Sequence, residues 1–133
     1  MRQLDPAALL VEFQADDAGV LRVSVTGEID FASAPSLQAR LIAAREREHT
    51  AKVILDITGV PFIDSTGLQA LLHLKRELAK ERGALVLLGA TEEVMRVLQI
   101  TGVDNHLVLA SSLPQAHDLV RRPPSPQAGE DEI

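Results

Sequence analysis

Apolar and polar positions alternate over residues 20–26, where Leu21, Val23 and Val25 are interleaved with Arg22, Ser24 and Thr26. A period of two predicts a strand with one buried face. Residues 9–13 read as another extended segment. Asp16, Asp17, Ala18 and Gly19 between them tolerate turn conformations, so the two strands are expected to form an antiparallel hairpin. After residues 27–30 the period lengthens: Leu37, Leu41 and Ala44 recur at helical spacing behind Ser33, a suitable N-cap, and Pro35, which suits a first turn. A helix to about Glu48 is predicted. Residues 52–57 are apolar or β-branched without clean alternation, the pattern of a central strand covered on both faces.

The second half repeats this rhythm. A helix is predicted from near Ser65, with Leu68, Leu71, Leu72 and Leu78 on its apolar stripe, basic residues in its later turns and Gly83 as a left-handed cap. Residues 84–88 form a buried strand. Thr91 caps a helix with Glu92 and Glu93 in its first turn and Val94, Val97 and Leu98 inward, ended by Gly102. Residues 106–109 give a last strand. Ser111 or Ser112 opens a final helix whose apolar face is Leu113, Ala116, Leu119 and Val120. The order ββαβαβαβα implies an α/β fold, with helices packed on a mixed sheet through right-handed crossovers. Residues 1–8 read as an N-terminal extension, 9–120 as the single domain, and 121–133 as a disordered, Pro-rich acidic tail.

Composition narrows the function. The chain has 133 residues, enough for one core, and no Cys, which removes disulfides, thiolate metal sites and cysteine nucleophiles. Its net charge is −6, half of it from Glu130, Asp131 and Glu132 beyond the last basic residue, Arg122. That balance opposes nucleic-acid binding, which needs clustered cations. The three aromatic residues are all Phe, leaving little stacking surface for bases or sugars. No apolar run approaches the length of a membrane span and no signal peptide is apparent, so a cytoplasmic protein is expected. His49, His73, His106 and His117 fall in separate elements without ligand spacing, and no metal or cofactor is assigned.

Candidate chemistry concentrates in V-P-F-I-D-S-T-G-L, residues 60–68, where a strand passes through a Pro-bent loop into a helix start. The helix end carries unpaired N–H groups and a partial positive charge, so it favours anions. Asp64 or Ser65 then serves as an N-cap with Gly67 allowing close packing, or Ser65 is a phosphoacceptor; the residues alone leave both open. Catalysis has little support. Ser65 lacks the G-x-S-x-G frame of a serine hydrolase, one Asp loop does not make an aspartic protease, and no phosphate-cradling Gly-rich motif occurs.

The element order, G-E-I-D at 27–30, I-L-D-I-T-G-V at 54–60 and above all F-I-D-S-T-G-L at 62–68 resemble the STAS domain over roughly residues 9–120. The D-S-T-G form is similar to bacterial anti-sigma factor antagonists. That resemblance implies partner switching. The unphosphorylated protein binds an anti-sigma factor that is also a serine protein kinase and so frees a sigma factor; phosphorylation breaks the complex, and a PP2C-type phosphatase resets it. Ser65 matches the phosphoacceptor, Asp64, Thr66 and Gly67 match its neighbours, and Glu28 and Asp30 match an acidic pair in the loop after the second strand. Together these six are the expected partner-binding residues of a protein that is not an enzyme. The alternatives are a non-switching STAS scaffold subunit of a lipid transporter or sensory assembly, and a nucleotide or small-ligand sensor using the helix N-terminus.

Overall fold

A computed structural model describes residues 9–16 and 18–122. The expected extension 1–8, the turn residue Asp17 and positions 123–133 of the expected tail lie outside the described residues. β1 (Leu10–Ala15) and β2 (Leu21–Thr26) pair antiparallel, Leu10 opposite Thr26 and Ala15 opposite Leu21. Asp16 closes their turn: its Oδ1 accepts from the N–H groups of Ala18 and Val20 at 2.9 and 3.1 Å. Gly19 takes φ +78° there, a conformation that favours glycine.

From β2 onward strand and helix alternate: α1 (Ala34–Arg47), β3 (Lys52–Gly59), α2 (Ser65–Ala79), β4 (Ala84–Leu88), α3 (Glu92–Thr101), a 3₁₀ turn (Val103–Asn105), β5 (Val108–Ala110) and α4 (Leu113–Arg121). The sheet runs β1-β2-β3-β4-β5, antiparallel at β1 and parallel elsewhere. Each crossover therefore moves one strand in the same direction. Helices α1, α2 and α3 share one face, where Leu37, Leu41, Leu71, Leu78 and Leu98 join Val23, Leu55 and Leu87 in the main core. On the other face Ala116 and Val120 of α4 pack with Ile54, Val86, Leu88 and Ala110. β3 is thus covered on both sides, which is why its sequence does not alternate. The neighbouring part of the second face is polar, with Arg22 and Asp56 paired at 3.7 Å.

Some expectations need correction. Gly83 is not the left-handed cap after α2; Arg82 takes that role with φ +60°. Gly83 is glycine for steric reasons, since a Cβ there would collide with the Ala51 carbonyl oxygen and its side chain. Within α2, Leu74 is buried and Leu72 only half-buried, a small rotation of the apolar stripe. The last strand is Val108–Ala110 rather than 106–109, because the chain leaving Gly102 first makes the 3₁₀ turn, with Asn105 and His106 donating back to Gly102 and Val103. α4 keeps Arg121, one residue beyond the expected domain limit.

Candidate functional site

The site lies where β2 and β3 end side by side. The ladder slips between Ser24, opposite Asp56, and Thr26, opposite Gly59, so β3 carries one extra residue. Gly59 sits at this bulge, where a Cβ would stand 2.9 Å from Thr26 Oγ1 and 3.1 Å from the Val25 carbonyl. Beyond it the two loops stay joined. Gly27 N–H donates to Gly59 O at 3.1 Å, Ile29 N–H to Phe62 O at 3.1 Å, and Asp64 N–H to Ile29 O at 3.2 Å. Ile29 and Ile63, both buried, form a parallel bridge beneath.

Asp64 locks this arrangement. It is the N-cap of α2 in an extended conformation, its Oδ1 accepting from Gly67 N–H at 2.8 Å. Its Oδ2 accepts from Phe31 N–H, in the other loop, at 3.0 Å. One carboxylate therefore caps a helix and ties the β2–α1 loop to it. Gly67 permits the approach: a Cβ would collide with the Ile29 carbonyl oxygen and stand 2.8 Å from Ile63 Cγ1. Cap and close packing both fall on neighbours of Ser65.

Ser65 is thereby left over. It is exposed, it opens α2, and among the described residues its hydroxyl makes no hydrogen bond. Its N–H and that of Thr66 belong to the first turn, where no intrahelical carbonyl reaches. Thr66 is half-buried and lines the shallow groove between α1 and α2 with Ala34, Pro35, Gln38 and Gln69.

The expected acidic pair divides. Glu28 is exposed, while its carbonyl accepts from the Ser33 hydroxyl at 2.7 Å. Asp30 is half-buried and turned onto its own loop, Oδ1 accepting from Ala32 and Ser33 N–H at 3.1 and 3.0 Å. Ser33, expected as the cap of α1, occupies that position without capping. Its buried hydroxyl bridges the Glu28 carbonyl and the Asp30 N–H, and Asp30 closes the turn that precedes the helix. The short spacing from Asp30 to Ser33 hid this exchange of roles.

Two residues escaped the sequence reading. Phe31 and Phe62 lie on the two joined loops with 77% and 51% of their surface exposed. Their signal was available: two of only three aromatic residues flank the loops that carry G-E-I-D and D-S-T-G. Within 27–33 and 60–67 the ionisable side chains are Glu28, Asp30 and Asp64, and His73 and Arg76 line the groove that Thr66 borders. Such a surface can receive a group or a partner. Among the described residues no three His, Asp or Glu side chains gather to hold a metal, and no helix is long and apolar enough to cross a membrane.

Comparison with known proteins identifies the family. The STAS domain model matches residues 14–116. An anti-sigma-B factor antagonist of Listeria monocytogenes is 30% identical over 95 residues, spanning 71% of this chain and 82% of that protein. The crystal structure of an anti-sigma factor antagonist from Mycobacterium paratuberculosis superimposes with a TM-score of 0.74 at 29% identity, covering 90% of this chain and all of that one. A probable sulfate transporter of Arabidopsis thaliana is 37% identical over 90 residues, which span 60% of this chain but only 14% of the transporter. Both antagonists match across most of their length, and the fold superimposes on that of the solved one: the chain belongs to the STAS-domain anti-sigma factor antagonist family.

Proposed function

We propose that this chain is a phosphorylation-controlled antagonist. Its unphosphorylated form binds an anti-sigma factor that is also a serine protein kinase, in the cytoplasm, and so releases a sigma factor. Phosphorylation of Ser65 ends the complex, and a PP2C-type phosphatase restores it. The antagonist itself performs no catalysis.

One observation carries this reading: Ser65 is the exposed first residue of a helix whose capping is already done by Asp64. A phosphate added there costs no cap and no packing, and the helix end favours its charge. The same phosphate adds about −1.5 to −2 charges to a surface that already holds Glu28, Asp30 and Asp64. It changes what can dock and leaves the fold alone. The test is phosphorylation of the purified chain by the kinase that copurifies with it, followed by intact-mass and peptide mass spectrometry. One phosphate on Ser65 with loss of the complex is the expected result. A complex indifferent to phosphorylation would sink the switch.

A further inference from the structure

We infer that Phe31 and Phe62 are a two-point apolar anchor that seats the protein partner beside Ser65. This inference rests on the switch proposed above and deepens it, by dividing the interface into a part that supplies affinity and a part that regulates it. The division starts from exposure. Phe31 and Phe62 leave 77% and 51% of their surface in water. Ile100, similarly exposed at 78%, stands apart on α3.

The two Phe backbones are fixed. Phe31 N–H is held by Asp64 Oδ2 at 3.0 Å, and Phe62 O accepts from Ile29 N–H at 3.1 Å. Aromatic side chains on pre-set backbones bury large area at little ordering cost, and such residues dominate measured interface energies. Both belong to the loops that meet at Ser65, so a protein covering the serine covers them too.

Charge selects the occupant. The loop segments 27–33 and 60–67 carry Glu28, Asp30 and Asp64 and no cation. A second copy of this chain laid on the patch would oppose three carboxylates to three more. The fitting partner is a protein with an apolar recess rimmed by Lys or Arg, bound before phosphate is added.

The experiment uses the full chain as bait in extract of its source organism, as wild type, Ser65→Glu, Phe31→Ser, the Phe31→Ser/Phe62→Ser double variant and an Ile100→Ser control. A protein retained by wild type and released by Ser65→Glu is identified, produced recombinantly and titrated against each bait by calorimetry. Phe31→Ser should weaken binding roughly ten-fold and the double variant at least about 30-fold, with Ile100→Ser unchanged and melting temperatures preserved. Phe31→Ser alone decides the matter if the double variant fails to fold, since that side chain lies mostly in water. Wild-type affinity in the Phe variants overturns the anchor while the Ser65 switch stands. Absence of any protein sensitive to Ser65→Glu overturns both. A wild-type dimer in sedimentation, lost in the double variant, would make a second copy the occupant and also overturn the proposal.

Discussion

Ser65 and Thr66 are adjacent hydroxyls separated by environment: the first is exposed and unbonded, the second half-buried in the groove between α1 and α2. A β-branched side chain in a first turn also has a stiffer χ1. Ser65→Ala should therefore abolish phosphorylation, whereas Thr66→Ala lowers its rate without removing it; intact-mass kinetics on the two variants distinguish them, and phosphate on wild-type Thr66 would refute the assignment. Asp64 is a different case, because it serves both the Gly67 and Phe31 N–H groups. Its replacement by Ala should cost about 1–2 kcal/mol, read as a lower urea midpoint, with faster amide exchange at Phe31. An unchanged midpoint would show the cap to be dispensable. A cap at Asp64 or Ser65 and close packing at Gly67 were legible from residue type and order, since a helix start has few chemical solutions; the structure gives the cap to Asp64. The reach of Asp64 across to Phe31 was not: a contact between positions 31 and 64 exists only once two strands end together.

Elements were legible where local chemistry decides them. Thr91 accepts from Val94 N–H and Gly102 adopts φ +77° to end α3, both as the sequence implies. Ser112 caps α4 by accepting from Gln115 N–H at 3.2 Å, and Ser111 turns instead to the Gln115 side chain. Local chemistry failed at β5, because three residues are too few to display a period, and at Gly83, where the requirement comes from Ala51 across the sheet. α4 is the one helix on its face of the sheet among the described elements, so its anchors are sensitive. Val120→Ala should cost about 2 kcal/mol through lost burial against Ile54 and Val86, lowering the denaturant midpoint at constant m-value. Partner binding should be unaffected, since this helix lies on the face opposite α1, α2 and α3.

For the molecule as a whole, the alternation of strand and helix implies a mixed sheet with helical crossovers and residues 52–57 as a central strand, while the order β1-β2-β3-β4-β5 comes from the structure. Charge adds a solution property. With a net −6 and an acidic rim beside Ser65, association with a cationic partner should slow several-fold between about 0.05 and 0.5 M salt, while dissociation, set by the apolar anchor, changes little. Stopped-flow mixing resolves the two rates, and a salt effect confined to dissociation would contradict this view. The geometry also separates duties by pole. Loops after β2 and β3 carry the proposed switch, whereas the steric stop of Gly83 on Ala51 and the Arg45–Glu81 ion pair lie at the opposite end of the strands. The exposed side chains of these loops, Glu28, Phe31, Ala32, Pro61 and Phe62, can therefore diverge without passing strain to those stops. After gene duplication, two copies would be free to acquire separate protein partners by exchanging a handful of exposed loop side chains on one unaltered framework.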